Sequence, residues 1–347
     1  MFPDKYVSII QSASLTSNKD KITWTEKYRP QNIDEVVSHD EIVQSLKKCL
    51  ENKMFPHMLF NGPSGSGKTS TIKCCAQHLY GEYANIMTLE LNASNDRGID
   101  IVRTKIKNFV TNRISAFLPI ENQNIFKLVI LDEIDSMTIE AQGMLRQTIE
   151  KNSKTTRFCL ICNDIDKIDV ALQSRCAVYR FSPLLTEMKE RLIEICDTES
   201  VKYTKESIKA IMKISKGDMR ASINILQQVS LITNNNITLD NIYKVTGYCK
   251  PDIIITIFNT LLDLTSNKIN IKKCTDTISR IIIENNITFF YLLNELKHNI
   301  IDHKYTTDQK IYLITNLAKV EVYDSVGIDT YNLIMTLSSI FIMVRKI

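Results

Sequence analysis

Lys68 and Thr69 close the run Gly62-Pro63-Ser64-Gly65-Ser66-Gly67-Lys68-Thr69, which follows apolar Met58-Leu59-Phe60 and continues into Ser70-Thr71-Ile72. A Gly-x-x-x-x-Gly-Lys-Thr spacing between a buried strand and a helix is the pattern of a phosphate-binding loop. Its glycines let successive backbone N–H groups curl around an anion, and the helix N-terminus adds partial positive charge. Lys68 is placed to reach the β- and γ-phosphates, and Thr69 to hold Mg²⁺ through its hydroxyl. Gly62 to Ser70 therefore predicts binding of a nucleoside triphosphate.

Four further groups could complete the chemistry. Leu131-Asp132-Glu133-Ile134-Asp135 ends an apolar strand, which puts carboxylates beside the loop. Asp132 is the candidate for the metal, and Glu133 for the base that orients and deprotonates the attacking water. Asn163 ends the next strand, where it is either a turn residue or an amide that touches the γ-phosphate or the water. Arg175, in Ser174-Arg175-Cys176, is either a surface ion-pair partner or a cation that reaches a neighbouring subunit's γ-phosphate. Arg220, in Gly217-Asp218-Met219-Arg220, starts a helix. There it is an ordinary surface arginine, or a phosphate contact that couples domain closure to nucleotide state.

The elements that must position these groups alternate. Strands are expected at Ile86–Leu91, Lys127–Leu131, Arg157–Cys162 and Ala177–Phe181, with helices over Ile99–Asn112 and Ile139–Glu150. Continuous apolar strands are those of a parallel sheet covered on both faces, so the first part is an open α/β sheet with ligands at the carboxyl ends of its strands. Past Pro183 strands vanish. Helices are expected at Glu187–Ser200, Thr204–Ile214 and Asp218–Ile232, and a further set follows the turn-rich Gly247-Tyr248-Cys249-Lys250-Pro251. Residues 1–21 mix Ser, Asn, Asp and Lys without periodicity, as a mobile arm would. Trp24-Thr25-Glu26-Lys27-Tyr28-Arg29-Pro30 is expected to be extended, because an X-Pro bond disfavours helix.

Bulk composition sets limits. A chain of 347 residues calls for two or three domains. A net charge of +4 from 43 basic and 39 acidic residues leaves any nucleic-acid surface to a local patch. Nine irregularly spaced cysteines predict reduced thiols, and Cys159-Leu-Ile-Cys162 has no second pair to make a zinc site. No apolar block suits export or a membrane span; Leu333–Val344 is interrupted by Thr336, Ser338 and Ser339. A soluble intracellular protein is expected.

Several stretches together resemble one family. Trp-Thr-Glu-Lys-Tyr-Arg-Pro at 24–30, Leu-Asn-Ala-Ser-Asn-Asp-Arg-Gly-Ile-Asp at 91–100, Asp-Glu-Ile-Asp at 132–135, Ser-Lys-Thr-Thr-Arg-Phe at 153–158, Ser-Arg-Cys at 174–176 and Gly-Asp-Met-Arg at 217–220 are similar to the replication factor C small subunits. Within that family the Arg-Thr-Lys-Ile-Lys-Asn-Phe helix and the Lys-Thr-Thr-Arg-Phe strand are most like the second small subunit of the human naming. The resemblance implies an AAA+ nucleotide-binding domain at 22–183, a helical lid at 184–247 and an oligomerising all-α collar at 248–347. It also implies a hetero-pentameric ring with other replication factor C subunits. Each ATP, with Mg²⁺, would lie between neighbours, and Arg175 would complete the next subunit's site.

By the same resemblance Tyr28, Arg29, Val36 and Val37 lie near adenine, while Lys68, Thr69, Asp132, Glu133, Asn163 and Arg220 serve this chain's own nucleotide. The implied work is loading a sliding clamp onto primer-template DNA in the nucleus. Two departures are mild: Pro-Ser-Gly-Ser replaces the commoner Pro-Pro-Gly-Thr, and Ile134 replaces Ala. Ala221 stands where a second Arg or a Gln is often seen, leaving Arg220 alone in that motif. Arg103 and Lys107 lie four apart on one helix side, either as a solvated face or as contacts to the DNA backbone, with Lys105 and Arg113 as weaker candidates. The loop from Ser115 to Gln123, with Phe117 and Leu118, is a candidate for the clamp. The rival readings are a nucleotide-binding scaffold of the same ring, a DNA branch-migration motor and a small-molecule kinase.

Overall fold

The structure, a computed structural model, describes residues 22–36, 39–52, 54–94, 99–112, 126–184, 187–265 and 270–344, with backbone alone at 99–103 and 265. The arm at 1–21, Val37, Arg113, the Ser115 to Gln123 loop and the Arg103 side chain lie outside that description. Two compact units are present, Met1–Ser200 with Ile211–Gln227, and Val201–Ala210 with Gln228–Ile347.

The first unit is built on five parallel strands, β1 (Met58–Asn61), β2 (Thr88–Asn92), β3 (Lys127–Asp132), β4 (Thr156–Cys162) and β5 (Ala177–Arg180), in the order β2-β3-β4-β1-β5. Side chains alternate across the sheet. Met58, Phe60, Leu128, Ile130, Cys159 and Ile161 join one core, and Leu59, Val129, Leu131, Phe158, Leu160 and Cys162 join the other. Burial on both faces is why these strands read as unbroken apolar runs. Register fixes the strand ends, because Asn61 pairs with Cys162 and Leu131 with Leu160. The carboxyl ends of β1, β4 and β3 therefore lie side by side.

Helices α1 (Asp40–Glu51), α2 (Lys68–Tyr80), α3 (Ile99–Thr111), α4 (Ile139–Asn152), α5 (Glu187–Thr198), α6 (Lys205–Ser215) and α7 (Met219–Ile232) follow in chain order. Val43, Leu46 and Leu50 of α1 and Ile72, Cys75 and Ala76 of α2 cover one sheet face; Leu145 and Ile149 of α4 belong to the opposite core. Thr138 starts α4 by accepting the Ala141 amide at 3.3 Å, satisfying an otherwise orphaned donor. At β3's other end, buried Lys127 donates to Phe109 O at 2.6 Å and to Asn112 O, tying off the end of α3.

The second unit contains α8 (Leu239–Thr246), α9 (Pro251–Thr265), α10 (Ile271–Glu284), α11 (Phe289–Asp302), α12 (Thr307–Ser325) and α13 (Thr330–Met343). Ile257, Leu261, Ile278, Leu292, Leu296, Leu313, Leu317, Leu337 and Phe341 form one continuous core from helices α9 to α13. Thr306 and Gln309 begin α12 with a reciprocal capping box. Ile311, Val322 and Val326 stand exposed on and just past that helix. No helix among the described residues is long and apolar enough to cross a membrane. All nine cysteines are free, and Cys159 and Cys162 are buried on β4.

The sequence expectations fail in three places. Residues Trp24–Lys27 form a helical turn instead of an extended piece, with the Glu26 and Lys27 amides donating to Thr23 O. Pro30 constrains only Arg29 before it, so the turn ends ahead of that restriction. β2 begins at Thr88, because Ala84–Met87 is a short helical turn. Helices α1 and α8 were not among the expected elements, although His39 and Thr238 precede them.

At the amino-terminal edge of the sheet, His57 Nδ1 accepts the Phe158 amide at 3.2 Å. Burial, helped by Arg157, pushes the imidazole pKa down to about 4. The depressed folded value means that stability is full above the unfolded pKa and is lost as pH falls through the folded one. Between about pH 6.5 and 4, wild type should lose on the order of 1–2 kcal/mol relative to His57→Asn, discounted for the ring's partial exposure. Denaturant titrations of both proteins across that range check it.

Candidate functional site

The phosphate loop leaves β1 at Gly62, whose amide donates to Cys162 O of β4 at 3.3 Å. Glycine is required there by close approach: a Cβ would stand 2.3 Å from Phe181 O. Ser66 Oγ donates to Pro63 O at 2.8 Å, and Gly67 turns into α2 at φ 94°. Lys68 is the first residue of α2 and is only 6% exposed. Its ammonium donates to Gly62 O at 2.7 Å, Pro63 O at 2.8 Å and Asn163 Oδ1 at 3.1 Å. Burial lowers its pKa, Asp132 and Asp135 pull the other way, and Arg220 adds a smaller depression. The result is a desolvated cation held by neutral acceptors, which an anion would compensate.

Thr69 Oγ1 donates to Asp132 Oδ2 at 2.8 Å, while Asp132 Oδ1 accepts the Glu133 amide at 2.9 Å. A hydroxyl and a carboxylate in contact beside a lysine form an all-oxygen donor pair suited to Mg²⁺, a hard cation that keeps several waters. Glu133 sits in the left-handed backbone region, φ 56° and ψ 41°, immediately after β3. The Asn163 amide donates to Asp135 Oδ2 at 3.3 Å, which ties the end of β4 to the acidic turn. Lys68 is thus bonded to Asn163 and Thr69 to Asp132, and the backbone amide of Glu133 is bonded to the Asp132 carboxylate.

A cleft of about 440 Å³ opens beside the loop, lined by Tyr28, Arg29, Val36, Gly65, Gly67, Ser70 and Arg220 among others. Tyr28, Arg29 and Val36, which the sequence resemblance puts near adenine, line this cleft. Tyr28 Oη donates to Glu199 Oε1 at 2.5 Å, and Arg191 donates to Tyr28 O at 3.0 Å. These bonds hold the 24–30 segment against α5 and the residue after it. Leu184, Arg191, Met219 and Ile223 also line the cleft and were missed from sequence. Met219 had a signal, its place beside Arg220, and Ile223 lies one helical turn after Arg220; Leu184 and Arg191 are separated from every motif and meet the cleft only through folding.

Arg220 lines the cleft, is exposed and has no ion-pair partner among the described residues. Arg175 is engaged differently. Its Nε lies 2.5 Å from Glu150 Oε1 of α4, and Nη1 donates to Ala171 O at 2.7 Å. On α3, Lys107 is exposed and Ile106 buried, while the Val102 and Arg103 side chains lie outside the description.

Comparison with known proteins sets these features in a family. Residues 58–184 match the ATPase family associated with various cellular activities (AAA). A protein of Acanthamoeba polyphaga mimivirus described as a replication factor C small subunit is 58% identical over 337 residues, 96% of this chain and 98% of that one. Human replication factor C subunit 5 is 38% identical over 330 residues, covering 94% and 93%. The small subunit of Archaeoglobus fulgidus is 40% identical over 299 residues, covering 86% and 90%. The likeness to these relatives stands at the level of the replication factor C small subunits. Among solved structures, Thermotoga maritima RuvB aligns with a TM-score of 0.51 at 16% identity, over 77% of this chain and 91% of that one, and shares the fold.

Lys68→Met removes a buried charge. The nucleotide-free variant should melt no lower than wild type, while affinity for ATP with Mg²⁺ falls roughly 50-fold. Paired melting curves and fluorescent-nucleotide titrations measure the two effects.

Proposed function

This chain belongs to the replication factor C small subunits, ATPase subunits of the clamp loader, and from that membership we propose that it hydrolyses ATP at the loop described above, in a site that a neighbouring subunit completes. The observation that supports this most is the placement of Lys68, Thr69, Asp132 and Glu133 at the carboxyl ends of β1 and β3, the two strands that flank β4. Lys68 and the loop amides bind the β- and γ-phosphates, and the cleft beside Tyr28, Arg29 and Val36 takes the adenosine. Thr69 and Asp132 would hold Mg²⁺, which when bound draws charge from the phosphate oxygens. Glu133 accepts the proton of the attacking water, Asn163 orients that water, and Arg220 contacts the terminal phosphate.

The reaction cleaves a phosphoanhydride with water as acceptor. Arg175 serves the next subunit's nucleotide, and its pair with Glu150 holds it at the domain edge until a neighbour's phosphate competes for it. The helices from 248 onward form the collar of a hetero-pentameric ring, and exposed Ile311, Val322 and Val326 are suited to burial between subunits. The 184–247 segment acts as the lid. Arg103 and Lys107 track the backbone of primer-template DNA inside the ring without reading bases. DNA and the sliding clamp stimulate turnover, and hydrolysis releases the loaded clamp. The eukaryotic relatives support a nuclear setting.

Glu133→Gln tests the chemistry in the complex assembled with its partner subunits. It should keep ATP binding and lose this site's share of DNA-stimulated turnover; an unchanged rate means that the chain is a nucleotide-binding scaffold. Lys107→Ala should weaken DNA binding evenly across sequences and reduce the slope of log affinity against log salt by about one. Equal binding and an equal slope would place that helix away from DNA. Purification of the tagged chain from cells should recover the other subunits with it, and recovery as a lone monomer with robust ATPase would remove the ring.

A further inference from the structure

We propose that Asp218 is a positioning residue that latches the start of helix α7 onto the phosphate loop and so sets where Arg220 meets the terminal phosphate. The inference rests on the reading of Arg220 as a phosphate contact, and it adds the device that places it. Gly65, in the middle of the loop, lies against Asp218 so closely that a Cβ on Gly65 would be 1.9 Å from Asp218 Oδ1. Beside that contact the Met219 amide donates to Gly65 O at 3.3 Å. The first residue of α7 is therefore bonded to the loop backbone, and Arg220 follows it directly.

Asp218 is itself held in place. Its Oδ1 accepts the Ala221 amide at 2.9 Å, the bond an N-cap makes to an orphaned donor of the first helical turn. Asp218 O accepts from the Ser222 amide at 3.0 Å and from Ser222 Oγ at 2.9 Å, and that buried hydroxyl also meets Ser215 Oγ at 2.7 Å. Upstream, Gly217 O accepts the Leu184 amide at 3.2 Å, and a Cβ on Gly217 would stand 2.7 Å from Pro183 Cβ. Glycine at 65 and at 217 permits both close approaches, at φ 67° and 89°. The Asp218 carboxylate thus joins two tasks, since one oxygen caps the helix that bears Arg220 and also abuts the loop that binds phosphate.

Two measurements on the full chain test this. The first is melting of Gly65→Ala, Asp218→Gly and the double variant. Each single change should lower Tm, but Asp218→Gly should raise Tm in the Gly65→Ala background, because it removes the atom that the new methyl strikes. An equal fall in both backgrounds means that the two residues do not touch in solution and overturns the latch.

The second is the preference for ATP over ADP, with Mg²⁺, by fluorescent-nucleotide competition. Arg220→Ala should reduce it roughly tenfold or more by removing a charge-assisted contact. Asp218→Ala should reduce it comparably while changing ADP affinity by no more than about twofold, because the loop itself persists. Asp218→Asn keeps the acceptor and should retain the preference, and the Asp218→Ala/Arg220→Ala pair should behave as Arg220→Ala alone. Equal loss for ATP and ADP, or effects that multiply in the pair, reduces Asp218 to a helix cap and overturns the positioning role. If Arg220→Ala leaves the preference unchanged, Arg220 does not contact the terminal phosphate and positioning has no object, while the melting cycle reports on the latch separately.

Discussion

A lysine ammonium buried among carbonyl oxygens is the constraint around which the first unit is arranged. Taking a cation out of water is costly unless its donors are met. Lys68 meets that demand with the Gly62 and Pro63 carbonyls and the Asn163 amide oxygen, which come from the ends of β1 and β4, and with the pull of Asp132 at the end of β3 and Asp135 in the turn after it. Those groups converge only if β3, β4 and β1 are neighbours, which the strand order provides. Such an order needs crossovers that pass over the sheet. The faces they cover are the two separate cores. A single partly compensated charge thus links the topology to the affinity for an anion.

Much of this was legible in the sequence where the signal is local. The phosphate loop, the carboxylates after β3 and the doubly buried strands are contiguous runs, and chain connectivity alone sets their geometry. Asn163 and Arg220 carried no decisive local signal; as single residues they were equally compatible with a turn and a helix start. Leu184 and Arg191 were invisible because they reach the cleft from segments whose placement depends on tertiary packing. The Trp24–Lys27 turn was misread because the proline rule was extended beyond the one residue it constrains.

Family and fold are carried by different parts of the chain. The AAA match ends at residue 184, and the RuvB likeness at 16% identity reports a shared scaffold. The replication factor C relatives extend over nearly the whole chain and include the helices of the second unit. Those helices bury a continuous core of their own while leaving Ile311, Val322 and Val326 in solvent. The nucleotide chemistry is common to many AAA proteins, so the assignment is narrowed by the stretches at 24–30, 91–100, 153–158 and 217–220 and by the length of the match.

The left-handed backbone at Glu133 limits which sequences this position can accept. At φ 56° a β-branched side chain would collide with its own main chain, whereas Gly, Asn or Asp would fit with little strain. Steric tolerance and chemical competence therefore diverge at one residue. A lineage that no longer needed the carboxylate could drift toward Asn or Gly without disturbing the turn, and on the role proposed for Glu133 a chain so altered would keep its shape while falling silent.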